Sequence, residues 1–357
     1  MSRERVVVAM SGGVDSAVAA ARCVAAGYDV IGVSLRLAAD GGGGCCSLDD
    51  FQDAAAVADR LGFPHYVFDA RELFERRVVQ PFVSDYLAGR TPNPCTRCNQ
   101  HVKFDHLWQR ARELGAQRLA TGHYARVGRH PATGRGVLRA ARDPAKDQSY
   151  FLFMLGADLL ERTLFPVGEL SKREVRAEAA SLGLSVAEKP ESMEICFVSG
   201  GGAAAFVERR APAERIRPGL IVDEQGTPLG RHEGIHRYTV GQRRGLGIGG
   251  GPRRFVRHID PERGTVTVAE AATMHTSAFV VDDVVWPAGA ESAARAALAV
   301  RIRHRHRPLP CRVAPAATGR VSVELVESGP AVTPGQAAVF YDGDWVLGGG
   351  WIGHEAA

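Results

Sequence analysis

Two stretches of this sequence carry residue types whose spacing can do chemistry. The first, Ser11-Gly12-Gly13-Val14-Asp15-Ser16, follows the apolar run 6–9 and precedes a small-residue segment at 17–26, so it reads as strand, glycine loop, helix. Glycines let the backbone approach an anion, and a helix start offers N–H groups and the positive end of its dipole. That is a phosphate cradle. It lacks the GK[ST] ending of a Walker A loop and is not GxGxxG; the competing reading is a tight turn that merely caps a helix. The second stretch, 91–99, sets two prolines ahead of the pair Cys95 and Cys98, with an isolated Cys196 far downstream. A Cys-x-x-Cys pair is a redox couple, half of a metal site or chance. Structural zinc needs a second pair, and adjacent Cys45-Cys46 chelate one ion awkwardly. A thioredoxin-like role is the weaker reading, because the pair is expected in a Pro-rich loop after a helix rather than at a helix start. Cys196 alone, flanked by apolar residues, reads as a buried structural thiol.

The elements that must position these residues follow from periodicity. Strands are expected at 6–9, 30–35, 65–69 and 118–121, with helices at 17–26, 48–61, within 71–88 and at 104–114. Such alternation implies a parallel sheet covered on both faces. After about residue 200 the pattern changes: Gly200-Gly201-Gly202 reads as a linker, and short β-rich pieces alternate with turns such as 223–226 and 260–264. Strands at 298–303, 311–314, 321–326, 337–341 and 345–348 are spaced as in a small barrel. The expected fold is therefore an α/β parallel-sheet domain over 1–200, a central β-rich domain over 201–280 and a C-terminal β-barrel over 281–357.

Composition bounds the rest. The 357 residues are 45% hydrophobic and 24% charged, enough for two or three packed domains. Lys plus Arg number 44 against 40 acidic residues, a balance too even to name a partner by itself. Its distribution says more: basic residues gather in 237–257 and 301–307, stripes suited to a phosphate backbone, although alternation along a strand lets only part of the second run face RNA. Seven cysteines are too few for a disulfide scaffold. No window approaches the roughly 18 apolar residues that span a bilayer, and the N-terminus lacks a signal-peptide core. A cytoplasmic protein without membrane contact is expected.

The glycine loop resembles the PP-loop of N-type ATP pyrophosphatases, which split ATP to AMP and pyrophosphate. SGGVDS, GRTPNPCTRCNQHVKF, ATGHYAR, AKDQSYFL, EKPESMEICFV, HRYTVGQRRGLGI and VTPGQAAVFYDGDWVLGGGWI come in that order. Together they resemble the tRNA-specific 2-thiouridylase family over nearly the whole chain. The resemblance implies ATP contacts at Ala9, Met10, Ser11, Gly12, Gly13, Val14, Asp15, Ser16, Leu35 and Gly122, with Mg²⁺ accompanying the nucleotide. It implies a target-base contact at Asn93, Pro94 and Cys95, a catalytic nucleophile at Cys98 and a persulfide carrier at Cys196. Contacts with tRNA fall on Lys146, Asp147, Gln148, Arg303, His304 and Gln336, with His123 close by.

The implied reaction adenylates the C2 oxygen of the wobble uridine, U34 of the tRNA anticodon loop, and transfers sulfur supplied by a cysteine desulfurase or a sulfur-relay protein. Many members carry Asp where this chain has Cys95. That departure opens a rival expectation, a [4Fe-4S] cluster on Cys95, Cys98 and Cys196 that carries the sulfur. Two other function classes compete: a PP-loop synthetase acting on a small metabolite, which needs no cysteines, and a non-catalytic RNA-binding protein, which leaves the phosphate loop unexplained.

Overall fold

A computed structural model describes residues 3–37, 47–191, 195–198, 200–249, 251–293 and 297–354; Cys45 and Cys46 lie outside them. The sheet expected from the alternating pattern is present, with five parallel strands in the order His65–Asp69, Asp29–Arg36, Arg5–Ala9, Arg118–Thr121, Thr163–Leu164. Val6, Val7 and Val8 are fully buried, as a central strand with both faces covered requires. The strand order reverses at Arg5–Ala9: the next strand, Asp29–Arg36, pairs on one side and Arg118–Thr121 on the other. An open α/β sheet binds ligands in the crevice that such a reversal opens at the carboxyl ends of its strands.

Local chemistry sets the helix ends around this crevice. The helix Val14–Ala25 starts directly from the glycine loop, and its small residues, Ala17 to Ala21, are buried against the sheet. Helix Leu48–Leu61 begins at a capping box, Ser47 with Asp50, and stops at Gly62 in the left-handed conformation. Helix Lys172–Ser181 begins at a second one, Ser171 with Glu174. Gly200-Gly201-Gly202, expected as a linker, instead leads into helix Gly202–Arg210, with Gly201 at φ +80° as its cap.

The C-terminal part is a closed barrel of six antiparallel strands, because His275–Val285 pairs with both Arg320–Pro330 and Trp345–Ile352. Sequence spacing anticipates five of the six; the missing one is His275–Val285, an 11-residue strand that runs through the expected boundary at 280. Its register shift after Thr276 breaks the alternation that would mark it. The central four-stranded sheet takes the order Arg254–Asp260, Thr265–Glu270, Gly219–Val222, Pro228–His232. Among the described residues no helix is long and apolar enough to cross a membrane.

The barrel is not an appendage. A hairpin from the first half of the chain, Ala125–Arg129 with Gly136–Ala140, joins the barrel sheet through Arg139 opposite Trp345. Asp344 receives both Arg126 (2.7 Å) and Arg139 (2.6 Å). Deeper, the Asp147 carboxylate accepts the Ala141 and Ser149 amides and the Ser149 hydroxyl, and meets Arg301 of the barrel at 2.6 Å. Asp147 is 3% exposed, so this charge is tolerable only because every lone pair is engaged. Asp147→Ala is therefore expected to cost about 3 kcal/mol of unfolding free energy, read by urea denaturation, and Asp147→Ala with Arg301→Met to recover part of that loss; an unchanged midpoint in the single variant would refute the role of this pair as the clasp.

Candidate nucleotide and thiol site

The glycine loop lines a cleft of about 350 Å³ at the switch point of the sheet. Ala9, Met10, Ser11, Gly13, Val14, Asp15, Ser16, Leu35 and Gly122 all face it. Gly12 does not; at φ +70° it turns toward helix Leu48–Leu61, where a Cβ would sit 2.3 Å from the Asp50 carbonyl oxygen. Ser16 Oγ ties the loop to itself, donating to the Gly13 carbonyl at 2.9 Å and accepting the Ser11 amide at 3.2 Å. Across the crevice a Cβ on Gly122 would lie 2.6 Å from the Ser16 nitrogen, so two backbones meet here with no room for a side chain. Val33, Leu35, Leu37 and Leu107 make the opposite wall apolar, a surface for a flat ring beside a polar loop.

Charge fills the other side. Lys103, Lys146, Lys172 and Lys189 line the cleft together with Asp15, Asp50 and Glu191. Lys172 Nζ sits 2.8 Å from each Asp15 carboxylate oxygen and 2.9 Å from Glu191; Tyr124 donates to Asp15 at 2.7 Å. Lys146 meets the other Glu191 oxygen at 2.6 Å, and these two lysines hold the Glu191 carboxyl down at about 2. His123 also faces the cleft, its Nδ1 3.0 Å from Thr121 Oγ1. Burial and the Lys103 cation push its pKa down to about 3, so at neutral pH it offers a neutral imidazole rather than a charge.

The structure thus brings three residues expected beside tRNA, His123, Lys146 and Gln148, to the nucleotide cleft. Gln148 reaches back to accept the Tyr124 amide at 2.9 Å. Motif reading missed Lys172, Lys189 and Glu191 as cleft residues. The available signal was the capping box at Ser171 and Glu174, which places Lys172 in the first turn of a helix, but only the folded sheet shows that this turn opens on the cleft.

The Cys-x-x-Cys pair corrects an expectation. It is not in a loop: Pro94–Cys98 is helical and runs without interruption through Asn99–His106 into Leu107–Glu113. Asn93 caps it, its side chain accepting the Thr96 amide at 3.3 Å, and Pro94 occupies the first turn, where a missing N–H costs nothing. The two prolines that suggested a loop are a helix start. Cys95 is exposed and Cys98 is 6% exposed, packed into the main apolar cluster that Cys196 also borders. The same helix carries Lys103 and Leu107 to the nucleotide cleft, so one rigid element spans both chemistries. Phe197, next to Cys196, is edge-on to Phe74, Phe82 and Phe206 at 5.1–5.5 Å, an aromatic nest that fixes the segment.

The expected iron–sulfur ligand set is not supported. Cys95 faces solvent while Cys98 faces the core, and among the described residues no group of three or more His, Cys, Asp or Glu is placed to hold a metal. Cys23 and Cys311 are buried in other clusters, where burial pushes their thiols up to about 12.

The remaining residues expected at tRNA divide. Gln336 donates to the Thr91 carbonyl at 2.9 Å and so braces the turn ahead of Asn93. Arg303 donates to Ala331 O and Thr333 Oγ1. His304 packs 4.4 Å from the Phe151 ring, its Nε2 donating to the Asp147 carbonyl. Asp147 turns inward to the clasp and presents no side chain to solvent. Of the second basic run only Arg301, the end of strand Ala299–Arg301, is strand, and within 303–307 the exposed side chains are Arg305 and Arg307.

A ligand held by this loop would make Gly122 its most sensitive backbone position, because the two backbones meet there. Gly122→Ala is expected to weaken nucleotide affinity at least tenfold by calorimetric titration and to cost about 1–3 kcal/mol of stability; full affinity would mean that the approach of the two backbones is unrelated to ligand.

Comparison with known proteins agrees with the geometry. Residues 4–200 match a family described as tRNA methyl transferase HUP domain, 204–270 a tRNA methyl transferase PRC-barrel domain and 276–352 an aminomethyltransferase beta-barrel domain. A relative from Geotalea uraniireducens (strain Rf4), named tRNA-specific 2-thiouridylase MnmA, is 49% identical over 99% of this chain and 96% of its own length. One of the same name from Heliobacterium modesticaldum is 47% identical over 98% and 92%. A solved 4-thiouridine synthetase–RNA complex with bound ATP is similar at 15% identity and a TM-score of 0.36, covering 54% of this chain and 45% of that one, too slight a likeness to argue from. The end-to-end matches at nearly half identity place the chain plainly: it belongs to the tRNA-specific 2-thiouridylase family.

Proposed function

We propose that this chain is an ATP-dependent tRNA-uridine 2-sulfurtransferase acting on U34. The observation that carries the reading is the single helix 94–113, which bears Cys98 at one end and lines the phosphate-loop cleft with Lys103 and Leu107 further along. The C2 oxygen of the uridine attacks the α-phosphorus of ATP, pyrophosphate leaves, and a poor leaving group becomes an adenylate. The terminal sulfur of a Cys196 persulfide then bonds to C2 and AMP departs. Cys98 thiolate attacks the Cys196 sulfur, breaking the S–S bond; the sulfur stays on the base and a Cys98–Cys196 disulfide remains, to be reduced by an external dithiol. Mg²⁺ would neutralise the phosphates, and Asp15 in the loop would help to hold it.

The cleft supports ATP: Ser11, Gly13 and Ser16 present the phosphate cradle, Leu35 the apolar wall and Gly122 the close approach. A cysteine desulfurase or relay protein loads Cys196, and the medium is the cytoplasm, where unmodified tRNA is found. The target base must leave its stack, which is cheapest in a single-stranded loop. Asn93, Pro94 and Cys95 lie where the helix begins, beside the segment that Gln336 braces. We divide the work among three parts of the chain: the N-terminal α/β part for chemistry, and the central sheet and the barrel, which begins at His275, for holding RNA. Methyl transfer, the activity worded in the matched family descriptions, leaves the phosphate loop and both thiols without a role.

The direct test is unmodified tRNA with the protein, ATP, Mg²⁺ and a persulfide donor, followed by nucleoside mass analysis. We expect 2-thiouridine, and AMP in equal amount. Cys196→Ser should abolish it, a loss of at least a thousandfold, while ATP affinity stays within twofold; loss of ATP binding in step with activity would make Cys196 structural instead.

A further inference from the structure

Glu191 stands apart from the residues that the proposed reaction uses. It projects into the nucleotide cleft, where each of its carboxylate oxygens meets a different lysine: Oε2 with Lys146 at 2.6 Å and Oε1 with Lys172 at 2.9 Å. Lys172 is only 13% exposed and its ammonium group also bridges both Asp15 oxygens in the glycine loop. A carboxylate that gathers two ammonium groups beside a phosphate cradle occupies the electrostatic position of a phosphate.

Its mounting is stiff. Two residues earlier, the Lys189 side chain is fixed to Asp50 and Asp53 of helix Leu48–Leu61, and the Lys189 carbonyl accepts from Arg176 at 3.0 Å. Pro190 follows, with φ restricted by its ring. The backbone leading into Glu191 is thus anchored on its N-terminal side.

We propose that Glu191 is a built-in stand-in for polyphosphate: it keeps Lys146 and Lys172 gathered when the cleft is empty, competes with the nucleotide for them, and so limits the affinity for ATP and for the pyrophosphate product. Four ammonium groups face three carboxylates around the cleft; an arriving polyphosphate takes over Lys146 and Lys172, and the displaced carboxylate then repels it. That repulsion favours release of pyrophosphate, the product whose retention would block the next ATP. Glu191 acts here as an affinity-setting residue, and the inference rests on the reading of the cleft as an ATP site.

The test is calorimetric titration of the full chain with inorganic pyrophosphate and with ATP, with and without Mg²⁺, comparing wild type with Glu191→Gln and Glu191→Ala. Both variants should bind pyrophosphate about three- to tenfold more tightly in Mg²⁺-free buffer, as expected for removing a competitor that holds two partly exposed ion pairs, with the gain shrinking as salt rises. Lys146→Met in the Glu191→Gln background should cancel part of the gain. Equal or weaker pyrophosphate binding by correctly folded variants would overturn the inference, and a loss confined to Mg²⁺ conditions would make Glu191 a metal ligand instead. A wild-type chain that binds neither ATP nor pyrophosphate would overturn the nucleotide reading itself, whereas wild-type ATP binding unaltered by either substitution would overturn only the role of Glu191.

Discussion

The site depends on how closely two backbones meet at the carboxyl edge of the parallel sheet. Residue 122 lies so near Asp15 and Ser16 that any Cβ would collide, and this contact is possible because the strand order reverses between Arg5–Ala9 and Arg118–Thr121. The chain leaves Arg5–Ala9 into helix Val14–Ala25 and leaves Arg118–Thr121 toward the hairpin Ala125–Ala140, so the crevice between the two strand ends stays uncovered. From that geometry the rest follows. Asp15 stands at the first turn of Val14–Ala25, Lys172 arrives on the next helix over, and Tyr124 leaves the neighbouring strand to meet the same carboxylate. Without the glycine contact these three groups would have no common point.

The second constraint is that the barrel must hold still relative to this sheet. The Asp147–Arg301 pair sits beside Tyr341, whose ring lies 4.6 Å from the Arg301 guanidinium, and Ser149 bonds to the Tyr341 hydroxyl at 3.1 Å. The same short segment, Lys146 to Gln148, therefore serves both ends: Lys146 and Gln148 look into the nucleotide cleft while Asp147 between them looks into the barrel junction. The segment lies between the turn that ends at Lys146 and the 3-10 turn Ser149–Phe151, and this change of direction separates the side chains. A motif that looks like one binding patch in the sequence is a two-sided rivet in the fold.

That distinction marks how far the sequence could be read. The glycine loop between strand and helix, the parallel sheet and most of the barrel strands are legible because their signals are local: glycine placement, short apolar runs, turn spacing. The helical start at Asn93 and Pro94 was misread because proline signals both loop and first helical turn, and only the cap on Thr96 decides between them. Lys172 and Glu191 were invisible as a pair, since 18 residues separate partners that the fold sets 2.9 Å apart. His304 and Asp147 carried a family resemblance to an RNA contact, yet their hydrogen bonds point inward, and no local pattern announces that.

The basic runs gain a sharper physical meaning from this. Net positive charge was spread over two sequence stretches with no indication that they meet, but a Cβ at Gly241 would lie 3.1 Å from Arg303 Nη2, and Thr333 ties Arg303 to the Val240 carbonyl. Thr239 in turn shares a hydrogen bond with Thr91, just ahead of the cysteine helix. Arg303 is thus a strut that joins the central loop, the barrel and the cysteine segment, while Arg243, Arg244, Arg305 and Arg307 remain exposed around it. Phosphate contacts add affinity in proportion to the charges that can actually reach the backbone. An arginine engaged as Arg303 is, with the Ala331 carbonyl and Thr333, contributes instead to how the central loop sits on the barrel. On the proposed reading, Arg303 would help set where a bound strand lies relative to the barrel, and the exposed arginines would set how tightly it is held.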